Sequence, residues 1–400
     1  MDDSVCIQCG QCINVCPTAA FLEKRHTDEV WEALADPKKH VVVQTAPSIR
    51  AAIGEGFGLE PGTPATGRMI TALRRLGFDA IFDTNLGADL TIVEEANELL
   101  QRIKGESGPL PMITSCSPGW INFMEKFYPE LIPNASSCKS PMSMLSTLTK
   151  TYYAEQEGVD PENIFMVAVM PCVAKKYESR REEHLMENGD PYTDAVLTTR
   201  ELIWMIQCYG IDFPNLPNGE FNRPLGLSTG AGDIFGTTGG VMEAALRTSS
   251  EWVTGKRVEK LNFKEVRAVE GLREAEIKMG DKTISVGVAN GITNAKDILN
   301  KVINEEKQFH LIEIMACPGG CIGGGGQPYP PHGAKVLDPD LLRKRAQALY
   351  SIDENKQLRR SHENPAIQTL YDEYLGEVGS HKAHELLHTH YHAKLPRGIR

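Results

Sequence analysis

Two cysteines four positions apart lie in the most glycine-rich stretch of the chain. Residues 313–328 read EIMACPGGCIGGGGQP, so six glycines and two prolines surround Cys317 and Cys321 within sixteen residues. Glycine and proline both disfavour the interior of a helix or strand, so this stretch is a loop whose backbone can approach a bound object closely. Thiolates are soft ligands that favour iron-sulfur clusters, zinc or Cu(I). The stretch therefore predicts a metal site.

A second group of cysteines lies near the start of the chain and has the spacing C-x2-C-x2-C-x3-C-P. It consists of Cys6, Cys9, Cys12, Cys16 and Pro17. This is the bacterial ferredoxin spacing, which predicts a [4Fe-4S] cluster, whereas zinc modules usually pair two C-x2-C knuckles over a longer interval. In two-cluster ferredoxins the fourth cysteine of the run binds the other cluster. Either Cys16 closes the same cubane, or the chain begins inside a longer ferredoxin domain and one ligand is missing.

Apolar strand-like runs alternate with amphipathic helical patterns along most of the chain. The runs are residues 40–44, 80–83, 112–115, 164–170 and 195–198. This alternation predicts an α/β fold with mostly parallel strands, and functional groups of such sheets gather at the carboxyl ends of the strands. Loops at those ends can bring distant cysteines together. The candidates are Cys116, Cys172, Cys317 and Cys321, and four thiolates can hold one cubane.

The composition of the chain narrows the classes of function. Of its 400 residues 41% are hydrophobic and 24% are charged, as in ordinary globular proteins. A formal net charge of −11 does not favour a nucleic-acid surface. No apolar run approaches the roughly 20 residues that a membrane helix needs, and no signal peptide is visible. We therefore expect a cytoplasmic protein with no nucleic-acid and no membrane partner.

Three signatures in the chain resemble those of the iron-only, or [FeFe], hydrogenases. The family patterns TSCCPxW, MPCxxKxxE and ExMxCxxGCxxGGGxP correspond to TSCSPGW at 114–120, MPCVAKKYE at 170–178 and EIMACPGGCIGGGG from residue 313. The resemblance implies a two-lobed α/β catalytic domain with mostly parallel sheets at residues 39–335. A partial ferredoxin-like [4Fe-4S] segment at 1–38 precedes this domain, and a helical C-terminal segment at 336–400 packs on it.

The resemblance also implies an H-cluster, which is a cubane joined through one cysteine sulfur to a two-iron unit bearing CO, cyanide and a bridging dithiolate amine. Position by position, Cys172, Cys317 and Cys321 are cubane ligands, and Cys321 is the bridging thiolate. Lys175 donates to a cyanide, which is a strong acceptor that a buried ammonium can hold. The other contacts to the two-iron unit fall on Pro47, Ser48, Met170 and Met315.

Proton delivery is the second requirement that the resemblance places on named residues. The implied relay consists of Glu95, Glu98, Arg102, Ser136 and Cys116. The first three are spaced three and four apart, hence on one face of a helix. Taken alone, they could also be a solvated helix face with an ordinary ion pair. A partly buried carboxyl group can have its pKa raised toward the working pH, which suits proton transfer.

The first signature departs from the family pattern at one position. The best-known members carry two adjacent cysteines, a proton relay followed by a cubane ligand, where this chain has Cys116 and Ser117. Position by position, Cys116 takes the relay role and Ser117 falls where the fourth ligand should be, although a hydroxyl is a far poorer ligand than a thiolate. Alternatively the loop shifts, Cys116 binds iron and Ser117 becomes a weaker relay. We expect a cluster that still forms.

The expected activity is the reversible formation of H2 from two protons and two electrons, with the N-terminal [4Fe-4S] cluster relaying the electrons. The expected partners are a ferredoxin, an NAD(P)-linked system or other hydrogenase subunits, together with maturation proteins that supply the two-iron unit. The alternative is a hydrogenase-like iron-sulfur protein that senses redox state or serves cluster assembly without turnover.

Overall fold

Two four-stranded sheets form the framework of the protein. The computed structural model describes residues 4–267, 271–330 and 334–396. The strands in this part of the chain are β1 (His40–Thr45), β2 (Ala80–Asp83), β3 (Met112–Ile113), β4 (Ile164–Met170), β5 (Ala195–Thr198), β6 (Leu272–Met279), β7 (Lys282–Asn290) and β8 (Leu311–Met315). The first sheet has the order β2-β1-β4-β5, and the second has the order β3-β8-β7-β6.

Helices connect the strands and cover both sheets. In the described residues they are α1 (Gln11–Val15), α2 (Thr27–Ala35), α3 (Ile49–Ala52), α4 (Thr66–Leu76), α5 (Thr84–Lys104), α6 (Pro118–Phe127), α7 (Pro141–Leu148), α8 (Ala154–Glu157), α9 (Ala174–Glu178), α10 (Thr199–Cys208), α11 (Gly230–Ile234), α12 (Gly240–Thr254), α13 (Ile292–Ile303), α14 (Pro339–Asn355), α15 (Pro365–Leu370) and α16 (His381–Leu387). Each strand of the first sheet is thus followed by helical chain, as parallel pairing requires.

The first sheet is parallel throughout and is covered on both faces. Val42 of β1 pairs with Ala80 of β2 and with Met166 of β4. Side chains alternate between the two faces of a strand, so Val41 and Val43 pack with α4 and α10 while Val42 packs with α5 and α7. This double coverage explains why β1 and β4 read as nearly continuous apolar runs.

The second sheet combines a parallel core with one antiparallel edge. β8 pairs in parallel with both β3 and β7, whereas β6 pairs with β7 in antiparallel orientation. Leu311 and Met315 of β8 pack toward α12, and Ile312 and Ile314 pack toward α6 and α13. β8 is therefore buried on both faces, and the loop that follows it starts from a rigid strand.

The predicted α/β fold with mostly parallel strands is confirmed. The predicted runs at 80–83, 164–170 and 195–198 coincide with β2, β4 and β5, while β1 continues to Thr45 and β3 is limited to Met112–Ile113. The sequence analysis did not identify β6, β7 or β8.

The C-terminal segment is tied to the rest of the protein through buried polar groups. On α14, the Arg345 guanidinium donates to the carbonyl oxygen of Ile322 at 2.7 Å and to the Glu55 carboxylate at 2.8 and 2.6 Å. After α16, the His388 ring contacts the Ser137 hydroxyl at 2.8 Å and Glu94 at 3.3 Å. The segment thus contacts both the glycine-rich loop and helix α5.

A buried arginine on α12 provides a test of this attachment. Arg247 and its partners Glu243 and Asp353 have fully buried side chains, and each contact is 2.8 Å. Arg247→Ala would leave two buried carboxylates with fewer partners, so we expect the free energy of unfolding to fall by about 3 kcal/mol or more. Urea unfolding followed by circular dichroism under anaerobic conditions measures this change.

The matched control is Arg257→Ala. Arg257 makes a comparable 2.9 Å contact with Glu363, but its side chain is 70% exposed. Its removal should lower the free energy of unfolding by less than about 1 kcal/mol. Equal losses in the two variants would show that burial does not set the strength of these contacts.

Candidate metal centre and proton path

Loops from the carboxyl ends of strands in both sheets line a single cavity. The volume of this cavity is about 80 Å³, which is several times the space that one water-sized particle fills. The predicted site residues that line it are Pro47, Cys116, Ser117, Met170, Cys172, Lys175, Met315, Cys317 and Cys321. The three signatures therefore meet in space as the sequence suggested, although they are separated by up to 200 residues.

Ser48 is a predicted cofactor contact that does not line this cavity. Its side chain is fully buried in the turn behind Pro47, and its hydroxyl has no hydrogen-bond partner within the described residues. A buried hydroxyl without a partner is unfavourable. It is therefore an available polar group beside the cavity.

Glycines allow the loops around the cavity to approach each other closely. A Cβ atom on Gly324 would lie 2.2 Å from the carbonyl oxygen of Pro171, and one on Gly323 would lie 2.1 Å from that of Pro318. No other residue fits at these contacts. The glycine run therefore sets the separation between Cys321 and the loop that carries Cys172.

Burial keeps the cavity thiols protonated in the absence of metal. It raises the pKa of Cys172 to about 12 and that of Cys321 to about 11, and it raises the pKa of Cys317 well above its ordinary value. Thiolates rather than thiols bind metal, so loading of this site must release protons. This donor set fits an iron-sulfur cluster.

Cys116 and Ser117 face different neighbours although they are adjacent in sequence. Ser117 precedes α6, and its hydroxyl accepts a 3.2 Å hydrogen bond from the amide of Ala316, next to Cys317. Cys116 is half-buried at the wall of the cavity. Desolvation raises the pKa of its thiol well above the ordinary value, and the charges of Glu95 and Cys321 add to this rise. Ser117 thus lies beside Cys317, and Cys116 lies near both Glu95 and Cys321.

Lys175 forms a buried ion pair at the edge of the cavity. Its Nζ lies 2.6 Å from Oε2 of Glu178, and Oε1 of Glu178 accepts from the hydroxyls of Ser140 at 2.5 Å and Ser143 at 3.2 Å. Burial raises the pKa of Glu178, but Lys175, His184 and the Ser140 hydroxyl together lower it below its ordinary value. The Lys175 side chain thus lies between the Glu178 carboxylate and the cavity that it lines.

The predicted relay residues on α5 lie together beside Cys116. Glu98 accepts from the Ser136 hydroxyl at 2.9 Å and from Arg102 at 2.6 Å. Neither carboxyl oxygen of Glu95 has a hydrogen-bond partner of good geometry among the described residues. Burial raises the pKa of Glu95 to about 8, and the charge of Glu98 adds to this rise. Glu95 is therefore a protonated carboxyl group at neutral pH.

Arg102 contacts four backbone carbonyl groups in addition to Glu98. Its guanidinium donates to the carbonyl oxygens of Pro109, Pro133, Asn134 and Ala135 at 2.8 to 3.2 Å, in addition to Glu98. It therefore fixes the two loops next to Ser136. The contact with Glu98 is the one that the spacing of the sequence predicted.

The N-terminal run places three of its cysteines together. Burial raises the pKa of Cys9, and Cys6 and Cys12 are close enough to add to this rise. The Cys16 sulfur instead accepts from the Ala20 amide at 3.2 Å and contacts the Thr18 hydroxyl at 3.6 Å. The Thr18 hydroxyl and nearby amides lower the pKa of Cys16 to about 7. Cys9 lines the same cavity as Cys317.

Several residues near the cavity were missed by the sequence analysis. Thr84, Ala88 and Phe235 line it, but small or apolar side chains give no chemical signal in a sequence. Glu313 of β8 is buried, and it accepts from the amides of Gly239 at 2.6 Å and Met242 at 2.8 Å. Burial raises its pKa to about 7. The first residue of the third signature thus anchors the start of α12.

Comparison with known proteins agrees with this arrangement. A family model for the iron-only hydrogenase large subunit, C-terminal domain, matches residues 39–325. An iron hydrogenase small subunit model matches residues 339–394, and a 4Fe-4S binding domain model matches residues 1–22. The last match agrees with the iron-sulfur cofactor predicted for the N-terminal run. Within the described residues, no helix is long and apolar enough to cross a membrane.

Individual relatives cover nearly the whole chain. The NADP-reducing hydrogenase subunit HndD of Solidesulfovibrio fructosivorans is 52% identical over 97% of this chain, and iron hydrogenase 1 of Clostridium pasteurianum is 48% identical over 94%. The chain spans 66% and 65% of the length of these two relatives. A more distant relative, Protein NAR1 of Arabidopsis thaliana, is 33% identical over 97% of this chain and 85% of that protein.

A solved structure shares the fold. The [FeFe]-hydrogenase HydA1 from Chlamydomonas reinhardtii superposes with a TM-score of 0.81 at 45% identity, covering 93% of this chain and all of that one. From the family model over 39–325 and these relatives, the chain belongs to the iron-only hydrogenase family.

Proposed function

We propose that the protein catalyses the reversible reaction of two protons and two electrons to H2 at an H-cluster, as an [FeFe] hydrogenase. The observation that carries this proposal is the single cavity where three cysteines of two signatures meet Lys175 and the inner end of a buried carboxyl path. When bound, the H-cluster supplies the metal chemistry that reduces protons. The protein's own residues hold it, exclude water and move protons.

Cys172, Cys317 and Cys321 are the proposed cubane ligands, and Cys321 is the proposed bridge to the two-iron unit. Their position in one cavity supports this role, because a thiol that is inert in the empty site becomes a strong ligand once its proton has left. The Lys175 ammonium is the proposed donor to a cyanide. Its contact with Glu178 at 2.6 Å positions the amino group at the cavity, where an ammonium can form a charge-assisted hydrogen bond.

The remaining proposed contacts shape the space for the two-iron unit. Met170 and Met315 lie at the ends of β4 and β8 and offer polarizable side chains that pack on irregular surfaces. Pro47 lines the cavity, and Ser48 behind it offers a polar group without a protein partner. These groups suit diatomic ligands, which need both close packing and a few donors.

Protons are proposed to travel along α5 to Cys116. The order Glu98, Ser136, Glu95, Cys116 is proposed for two reasons. The Ser136 hydroxyl donates to Glu98, and Glu95 is close enough to both Glu98 and Cys116 for their charges to interact. Arg102 holds Glu98 at the outer end. Glu95 carries its proton at neutral pH, so it can act as the acid toward the Cys116 sulfur.

The residues around Cys116 and Ser117 favour the position-by-position assignment, in which Cys116 is the relay and Ser117 is the fourth ligand. Cys116 is the proposed relay because Glu95 and Cys321 act on its thiol, and Ser117 occupies the proposed fourth corner because its hydroxyl lies against the amide next to Cys317. An oxygen ligand at this corner is weaker than a thiolate. The cubane is thus proposed to depend mainly on three sulfurs.

Electrons are proposed to enter through the N-terminal [4Fe-4S] cluster at Cys6, Cys9 and Cys12. Cys16 is proposed to lie outside that cluster, because its sulfur contacts the Ala20 amide and the Thr18 hydroxyl. The electron partner is proposed to be a ferredoxin or other hydrogenase subunits, since HndD is named as a subunit of an NADP-reducing enzyme. Maturation proteins are the proposed source of the two-iron unit, and the proposed location is cytoplasmic.

A second candidate function is cluster assembly or redox sensing without turnover. The likeness to Protein NAR1 at 33% identity and to cytosolic iron-sulfur assembly component 3 of Bos taurus at 28% identity favours it. The higher identity to hydrogenases and the preserved proton path both support the enzyme.

The first test of the proposal is spectroscopic. The protein matured anaerobically with its assembly machinery should show CO and cyanide stretching bands in the infrared and should produce H2 with a low-potential electron donor. Cys321→Ala should abolish both signals. Cys208→Ala, which removes an exposed cysteine outside both clusters, should leave both unchanged. Absent bands in the matured wild-type protein would favour the assembly or sensing function.

The second test separates the roles of Cys116 and Ser117. Cys116→Ala should keep the iron content and lower the H2 production rate by about 10²-fold or more, because it removes a proton-transfer group. Ser117→Ala should lower cubane occupancy, and Ser117→Cys should raise it. Iron analysis and H2 assays of the three variants check this. The reverse pattern would show that the loop has shifted and that Cys116 binds iron.

The third test addresses the proton path. Glu95→Gln preserves the size of the side chain but cannot release a proton, so the rate of H2 production should fall by about 10²–10⁴-fold at unchanged iron content. Glu94→Gln is the matched control, because Glu94 is equally buried on the same helix but contacts Tyr371 and His388 instead. Similar rates in the two variants would place the path elsewhere.

A further inference from the structure

A hydrogen-bonded network joins the N-terminal cysteine run to the glycine-rich loop. The amide Nε2 of Gln11 donates to the carbonyl oxygen of Gly323 at 2.8 Å. Its Oε1 accepts from Nδ2 of Asn14 at 3.1 Å. The second bond orients the amide so that its donor side faces the loop. Gln11 lies in sequence between Cys9 and Cys12, so this contact starts inside the run itself.

Arg200, at the start of α10, is the centre of this network. Its guanidinium donates to Oδ1 of Asn14 at 3.0 Å, and to the carbonyl oxygens of Gly325 at 2.7 Å and Gln327 at 2.8 Å. It also contacts Glu23 at 3.2 Å, and both side chains of this pair are about nine-tenths buried. One rigid guanidinium thus holds two residues of the N-terminal segment and two of the loop.

The two segments also touch through their backbones. A Cβ atom on Gly325 would lie 2.4 Å from the carbonyl oxygen of Cys9, and one on Gly10 would lie 2.6 Å from the side chain of Val173, next to Cys172. The N-terminal run therefore contacts both loops that carry cavity cysteines. Cys9 and Cys317 line the same cavity.

The geometry points to an inter-cluster clamp, formed by Gln11, Asn14 and Arg200, that positions the N-terminal cluster against the Cys317 loop and sets electron transfer between them. This inference rests on the proposed function, because it assigns a cluster to each segment. In each transfer the N-terminal cluster is oxidised by one electron and the cubane is reduced by one. A low-potential one-electron donor reduces the first cluster again, and two such transfers supply one H2.

Two clamp variants test the inference in the full chain with both clusters loaded. Gln11→Ala removes the donor toward Gly323, and Arg200→Ala releases Asn14 from the loop. Redox titration followed by electron paramagnetic resonance should show a shifted potential for the cubane in Gln11→Ala, because the loop that carries Cys317 and Cys321 loses its anchor at Gly323. The spin coupling between the two reduced clusters should weaken in Arg200→Ala. Stopped-flow reduction of the cubane through the N-terminal cluster should slow about 10-fold or more in both variants.

The matched controls remove a glutamine and an arginine that lie outside the inter-cluster clamp. Gln207→Ala deletes an amide that donates to the carbonyl of Gly56 at 3.1 Å, and Arg25→Gln deletes an exposed cation of the N-terminal segment that lies over Trp204. Both should match the wild type. The inference is overturned if clamp variants with full iron content keep wild-type potential, spin coupling and reduction rate. Selective loss of N-terminal iron in Arg200→Ala supports the positioning role.

The experiment also distinguishes this inference from the proposed function. Potential and spin coupling are measured on the iron-sulfur clusters alone and do not require the two-iron unit. A wild-type protein without CO and cyanide bands would overturn the hydrogenase proposal. An effect of the clamp variants on the coupling between the two iron-sulfur clusters would still support the inter-cluster clamp.

Discussion

Close backbone contact between the glycine-rich loop and its neighbours is the constraint on which the site depends. The carbonyl oxygens of Pro171, Pro318 and Cys9 each lie where a side chain on the loop would otherwise begin. The loop can therefore lie against the β4 loop and the N-terminal run at once. A single methyl group at Gly324 or Gly325 would push these segments apart. The geometry of the thiols and the distance between the clusters therefore both depend on the absence of a side chain at these two positions.

Buried charged groups hold the loop from its other side. Arg345 of the C-terminal segment binds the carbonyl of Ile322, immediately after Cys321, and Glu313 secures the start of α12 beneath the same loop. Such groups are expensive to bury and stable only when fully paired. These contacts hold a loop that contains six glycines in one conformation. The glycines allow the loop to approach its neighbours closely, and the surrounding polar contacts fix its backbone.

Much of this arrangement could be predicted from the sequence, for identifiable reasons. Strands β1, β2, β4 and β5 were visible because a doubly covered parallel sheet needs continuous apolar runs. β6 was missed because it is a charged edge strand, and β8 because its central Glu313 interrupts the apolar run. Cysteines and Lys175 were found from their signatures. Thr84, Phe235 and the clamp of Arg200 were not, since their roles arise only where distant segments meet.

The pairing of Glu95 with Glu98 has a consequence for proton transfer. The negative charge of Glu98 is one reason that Glu95 retains its proton. A neutral side chain at position 98 would remove this contribution and lower the pKa of Glu95. In the proposed path, the readiness of the inner carboxyl group to give up its proton therefore depends on the charge of the outer one.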